Sequence, residues 1–182
     1  MGRTGDAMAR KLMVMATCIA LATSGSGLAA TKQDGGSRVA AQGETRITAT
    51  LGGKAVLVQF FTHKVDIGKP SDEPPKRRMS SCTYSRIPCS LTDAVEISVA
   101  GHPVFVPRSA FADLADINGA ELHLIAPGRF RLALTGGDAS EAYEANIVFD
   151  RHRVRERAVT ASEAQMVAEK TVYFDVSRAF VD

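Results

Sequence analysis

From Arg46 onward the chain is written in short runs in which apolar and polar residues alternate, and glycines and prolines separate the runs. Alternation with period two marks a strand with one face in a core and one in water, because successive side chains point to opposite faces. Residues 46–51 set Ile47 and Ala49 against Thr48 and Thr50, and Gly52-Gly53 then predicts a two-residue hairpin turn, where positive φ is required. Residues 55–61 (AVLVQFF) are β-branched and aromatic and predict a partner strand. Further strands are expected at 93–100, with Val95, Ile97 and Val99 inward, and at 102–106 and 121–125. Others are expected at 129–135 (Phe130, Leu132 and Leu134 inward), at 142–149 (Tyr143, Ala145, Ile147 and Phe149 on one face), at 153–159 and at 171–176. Asn118-Gly119, Pro127-Gly128 and Gly136-Gly137-Asp138 are the strongest of the remaining turn signals. Residues 107–116 (PRSAFADLAD) predict a short helix with Phe111 and Leu114 on one face and Ser109 as its cap, and 160–169 reads as an exposed helix or loop.

Short connections between consecutive strands imply antiparallel pairing. The expected fold class is mainly β: an antiparallel β-sandwich or partly open barrel of about nine short strands with one or two short helices. Long helices do not alternate with the strands, which excludes a parallel α/β architecture, and no repeat of solenoid period is visible.

The first 30 residues follow a different rule. Arg10 and Lys11 precede an apolar run at 12–22 (LMVMATCIALA), small polar residues follow, and Leu28-Ala29-Ala30 offers small side chains at a cleavage point. This order is that of a secretory signal peptide cut after Ala29 or Ala30, with translation starting at Met1 or Met8. The run is shorter than the roughly 20 apolar residues that span hydrocarbon, so no transmembrane segment is expected once the leader is removed. Met15-Ala16-Thr17 before Cys18 is a poor lipoprotein signal. Residues 31–44 lack an apolar period and are expected to be flexible. A single β-rich domain is expected over 45–182, in a periplasmic or secreted protein.

Leader removal takes three of the 22 basic and one of the 20 acidic residues, leaving 19 of each. A balanced charge argues against a nucleic-acid partner, which selects for a net basic domain. It also leaves Cys82 and Cys89, and an even pair in an exported chain reads as a disulfide. Closing so short a loop stabilises by roughly 2–3 kcal/mol in the chain-entropy model, and the bridge either staples a connection or presents a loop. A polar, proline-rich loop at 64–81 that carries Lys76, Arg77 and Arg78 ends at this disulfide. Loops longer than about 12–15 residues are uncommon inside a domain.

The most unusual composition lies in the arginines. Alternation puts Arg153, Arg155 and Arg157 on one strand face, and Arg129 and Arg131 on the solvent face of another strand. Five guanidiniums sharing one surface would suit an acidic protein or an anionic envelope component such as a lipid headgroup or glycan. The plainer expectation is a solvated face paired across strands with Glu141 and Glu144. His63, His102, His123 and His152 have no partner at metal-ligand spacing, and neither metal nor cofactor is expected. Gly-Gly-Asp at 136–138 reads as a turn, Ser140 lacks a nucleophile elbow, and three scattered tyrosines make no sugar platform.

No motif carries catalysis. The leading expectation is a non-enzymatic exported binding module, of which an inhibitor or immunity-type protein is one form. Its alternatives are an envelope hydrolase with a dispersed site, favoured by a deep pocket holding a histidine beside a carboxylate, and an envelope assembly factor. An uncovered sheet edge would favour the last. Size and compartment resemble those of small disulfide-stapled envelope domains, but such likeness does not establish function.

Overall fold

The computed structural model describes residues 36–68, 82–83 and 86–175. Within them the chain forms β1 (Ser37–Arg38), β2 (Gly43–Leu51), β3 (Lys54–Val65), β4 (Cys89–Val99) and β5 (His102–Val104). A 3-10 turn, η1 (Arg108–Ala110), leads to β6 (Ile117–Ala126) and β7 (Arg129–Gly136), and a second, η2 (Ala139–Glu141), to β8 (Tyr143–Phe149), β9 (Val154–Ala161) and β10 (Met166–Val172). All pairings between these strands are antiparallel. They build a six-stranded sheet of order β1-β6-β7-β8-β9-β10 and a four-stranded sheet of order β2-β3-β4-β5. The alternation read from the sequence supplies the core. Val56, Val58 and Phe60 of β3 and Val95, Ile97 and Val99 of β4 join Phe130, Leu132, Leu134, Ala145, Ile147 and Phe149 of β7 and β8 in one cluster. Two sheets sharing one apolar interior make a β-sandwich, with no closed barrel. Gly52 and Gly53, at φ of 56° and 73°, close the β2–β3 hairpin as their sequence requires.

Several elements depart from the pattern. The expected helix at 107–116 is only the 3-10 turn η1, and Ser109 is no cap: its Oγ donates to the Tyr173 hydroxyl at 3.3 Å. The helix fails because the segment is drawn out along β4, where Ala115 bridges Leu91 and the Asp116 N–H donates to the Ser90 carbonyl at 2.7 Å. Asn118-Gly119 is not a turn but lies inside β6, with Asn118 as an extra residue between the pairs Ile117–Gly136 and Gly119–Thr135. The expected loop at 160–169 contains the end of β9 and the start of β10, and the last strand ends at Val172. From Gly36 onward, the segment expected to be flexible contributes β1 and the buried Val39. Beyond β5, Phe105 bridges in parallel to Arg153, so one residue stitches the two sheets together. Among the described residues no helix is long and apolar enough to cross a membrane.

Cys82 and Cys89 form a disulfide that packs with Ile67 and Ala115 in a small second core. Its frame is fixed by Asp116, a buried carboxylate at a φ of 50°. One oxygen accepts from the Thr83 N–H at 3.0 Å and the other from the Ser90 N–H at 2.8 Å. These two amides each follow a cysteine, so a single side chain holds both ends of the bridged loop. The Asp116 carbonyl accepts from Gly137 N–H at 3.2 Å, which ties the same residue to the turn after β7. A buried carboxylate without donors is costly, and a buried amide without an acceptor is costly too, so removing Asp116 orphans groups on both cysteine flanks. Asp116→Ala is expected to lower the free energy of unfolding by about 3 kcal/mol in urea titration, with Asp116→Asn losing less. An Asp116→Ala protein as stable as the parent would contradict the clamp.

Candidate functional site

The five arginines expected on one surface are separated by a bulge in β9. Val148 pairs with Glu156 while Phe149 pairs with Val154, so Arg155 is inserted and the face of every later residue is reversed. Arg157 therefore lies opposite Ile147 on the core side, its side chain 4% exposed. Its Nη2 donates to Asp113 Oδ2 at 2.6 Å and its Nη1 to Glu169 Oε1 at 2.7 Å, while its Nε is buried without a partner among the described residues. Arg155 Nε donates to Asp150 Oδ2 at 2.7 Å. Arg153 pairs with Asp175 and donates from Nη1 to the Phe174 carbonyl at 3.2 Å. Arg129 and Arg131 keep to the outer face of the six-stranded sheet, where Arg131 stands between His123 and Val148. Glu144 faces Thr135 and Thr160 rather than an arginine. The basic triplet Lys76, Arg77 and Arg78 lies outside the described residues.

These ion pairs shape the local electrostatics. Partial burial pushes the Asp150 carboxyl up, but the amides of His152 and Arg153 and the Arg155 guanidinium outweigh it and hold the group below the ordinary aspartate range. Tyr143 crosses from β8 over Gly136, where an added Cβ would sit 2.3 Å from the ring, and its hydroxyl donates to the Ala115 carbonyl at 2.7 Å. Burial, then the Asp116 and Asp113 carboxylates, push its phenol above the ordinary tyrosine range.

Two histidine–carboxylate pairs occur, His63 with Asp93 at 2.8 Å and His123 with Glu121 at 3.3 Å. Both pairs are well exposed to solvent on strands rather than enclosed. A concavity of about 450 Å³ lies at the β1–β6–β7–β8 end, lined among others by Arg38, Glu121, Thr135 and Glu144 but by no histidine. Among the described residues no three His, Cys, Asp or Glu side chains gather where they could hold a metal ion.

The strongest concentration of exposed apolar surface is at the last strand. Of the eight large hydrophobic side chains left exposed among the described residues, Met166, Val167, Val172 and Phe174 fall within nine positions, which singles out β10 and its continuation. Among the described residues β10 is hydrogen-bonded on one side only, to β9. The other long edge strand, β2, exposes Glu44, Arg46, Thr48 and Thr50 instead. In β10 the charges are consumed internally: Glu169 holds Arg157, and Lys170 Nζ lies 3.1 Å from Glu156. The strand expected at 171–176 overlaps this edge only at Thr171 and Val172, and residues 166–170 were missed because a strand exposed on both faces has no alternation. At its far end the chain meets the sandwich corner. Phe105 N–H donates to the His152 carbonyl at 2.8 Å and its own carbonyl accepts from Val154 N–H at 2.9 Å. Tyr173 N–H donates to the Arg155 carbonyl at 2.9 Å, and Tyr173 and Phe174 are held by Ser109 and Arg153 as described.

No protein-family description, curated protein or solved structure matches this chain.

The buried phenol yields a sign that can be checked. Below the ordinary tyrosine pKa both folded and unfolded phenols are protonated and stability is level. Above it the unfolded phenol ionises while the folded one resists, so stability falls as pH rises. Tyr143→Phe is expected to cost about 1 kcal/mol at neutral pH through the lost hydrogen bond and to flatten the alkaline fall, read from urea midpoints across pH. An unchanged alkaline slope would contradict the assignment.

Proposed function

We propose that this protein is a non-enzymatic, exported interaction module of the cell envelope that binds a protein partner along the free edge of β10, an edge that favours an envelope assembly factor as the form of that module. The observation that carries the reading is that edge itself: seven residues long, unpaired on one side among the described residues, flanked by exposed Met166, Val167 and Val172. An open strand edge offers a row of unused backbone donors and acceptors, and proteins that do not use such an edge blunt it. Blunting here is partial. The β10–β9 register slips between Val167 and Glu169, and the two mid-strand charges are neutralised by β9 rather than left to repel a neighbour. An extended segment of a partner can therefore add to the sheet and set apolar side chains beside Val167 and Val172, the strand-addition mode of recognition.

Export is supported by the order of Arg10, Lys11 and the apolar run at 12–22, and by the disulfide, which persists in oxidising compartments. On this reading residues 1–30 are the cleaved leader. The acidic partner expected from the arginines has lost its five-membered surface, since Arg153, Arg155 and Arg157 are each engaged by carboxylates. Arg129 and Arg131 remain on a common outer face for such a contact. A second reading, an inhibitor-type module, is favoured by the frame that Asp116 fixes at Thr83 and Ser90, close in sequence to the basic Lys76, Arg77 and Arg78.

The test is site-specific photocrosslinking in intact cells. A crosslinking side chain at Val167 or Val172 is expected to capture one protein partner, and the same group at Thr48 on the β2 edge to capture none. Val167→Glu with Val172→Glu is expected to abolish capture while leaving the thermal midpoint within a few degrees, as exposed substitutions do. Equal capture from Thr48, or none from the β10 positions, rejects the reading.

A further inference from the structure

We infer that the corner formed by Phe105, Phe174, Arg108 and Arg151 docks onto an anionic phospholipid surface. The two phenylalanines are the most exposed large apolar side chains among the described residues, at 68% and 79%. Both are anchored by backbone rather than carried on a free loop. Phe105 is bonded on both sides into the β9 entry, and Phe174 is held through its carbonyl by Arg153, the residue that Phe105 bridges. Tyr173 and Ser109 close the circuit by their hydroxyl contact, which places Arg108 beside the same corner. Rings this exposed protrude from the surface. They do not line a groove that would receive a partner's side chain.

Charge selects the occupant. The acidic groups of this corner are already engaged: Asp150 by Arg155, Asp175 by Arg153 and Asp113 by Arg157. Arg108 and Arg151 are exposed, and neither side chain has a hydrogen-bond or ion-pair partner among the described residues. His102 and His152 are exposed beside them. Protruding phenyl rings with unpaired guanidiniums around them suit an interface that is apolar below and phosphate-bearing above. Rings enter the acyl boundary and guanidiniums take headgroup phosphates in fork geometry. A soluble acidic protein satisfies the arginines but must supply a matching pocket for each ring, whereas a bilayer takes both rings without one. The corner lies beyond the end of β10, so a module held here keeps the Met166–Val172 edge clear for the protein partner proposed above, and the two surfaces fail independently.

The chain contains no tryptophan, so Phe105→Trp places a single indole reporter at the corner. The exported form of this variant is mixed with vesicles of phosphatidylcholine, with or without phosphatidylglycerol, and separately with soluble polyglutamate. The expected result is a blue shift and quenching by brominated lipid with phosphatidylglycerol vesicles only, weakened by salt. Adding Arg108→Glu and Arg151→Glu is expected to raise the lipid concentration for half-binding about tenfold or more, given the worth of each cation at a charged surface. Phe174→Ser is expected to raise it several-fold at unchanged thermal midpoint. No shift with phosphatidylglycerol vesicles overturns the inference, as does equal binding to both vesicle types that ignores the charge reversal. A shift with polyglutamate and none with vesicles also overturns it and assigns the corner to an acidic protein.

Discussion

Two hydrogen bonds to the carboxylate of Asp116 set much of this architecture. They join the residue after Cys82 to the residue after Cys89, and through its own backbone Asp116 holds β4 and the turn after β7. The disulfide, the entry into β6 and the Gly136–Gly137 turn thus converge on one buried charge. Around it, Tyr143 reaches Ala115, and Asn118 donates to the Gly137 carbonyl at 2.8 Å and accepts from Arg86. A left-handed residue that is not glycine persists only where its surroundings over-determine it, and here the side chain supplies that determination. The polar network sits at the end of the sandwich where the disulfide frame leaves the core, so the apolar cluster between the sheets need not carry polar groups.

Most of the core was legible because its residues alternate without interruption. Phe130, Leu132 and Leu134 can face inward only in one register, and their partners on β8 repeat the same period. What misled the reading were the positions at which period two breaks. One inserted residue in β9 turned Arg157 from the solvent face to the core side, dispersing a surface that the spacing of three arginines had suggested. A second extra residue, Asn118, hid the start of β6 behind a turn signal, since Asn-Gly reads as a hairpin only when the residues flanking it pair with each other, and these pair with β7. Bulges have no simple composition mark, so period-based reading cannot place them. The helix expected at 107–116 had the right apolar pair, Phe111 and Leu114, which are both buried, but the wrong backbone. Only the end of β10 fell within the strand expected at 171–176, for the opposite reason: with both faces in water, residues 166–170 carry no alternation to read.

The surface that remains is asymmetric. One long edge, β2, displays charges and threonines, and the other, β10, displays valines and a methionine while its charges turn back to β9. The arginine-rich stretch at 153–157 is mostly internal wiring. It fastens the β8–β9 turn, the end of β10 and the segment around η1, and so fixes how the free edge and its neighbouring corner are presented.

Amide hydrogen exchange along the chain tests the central claim, that β10 is an edge awaiting a partner strand, most directly. It is recorded on the purified protein alone and again in solubilised envelope of its host. The account predicts fast exchange at outward-facing amides of Met166–Val172 in the isolated protein, slowed on mixing, with the β2 edge unchanged. Exchange that is already slow in isolation, or equally fast in both conditions, would contradict it.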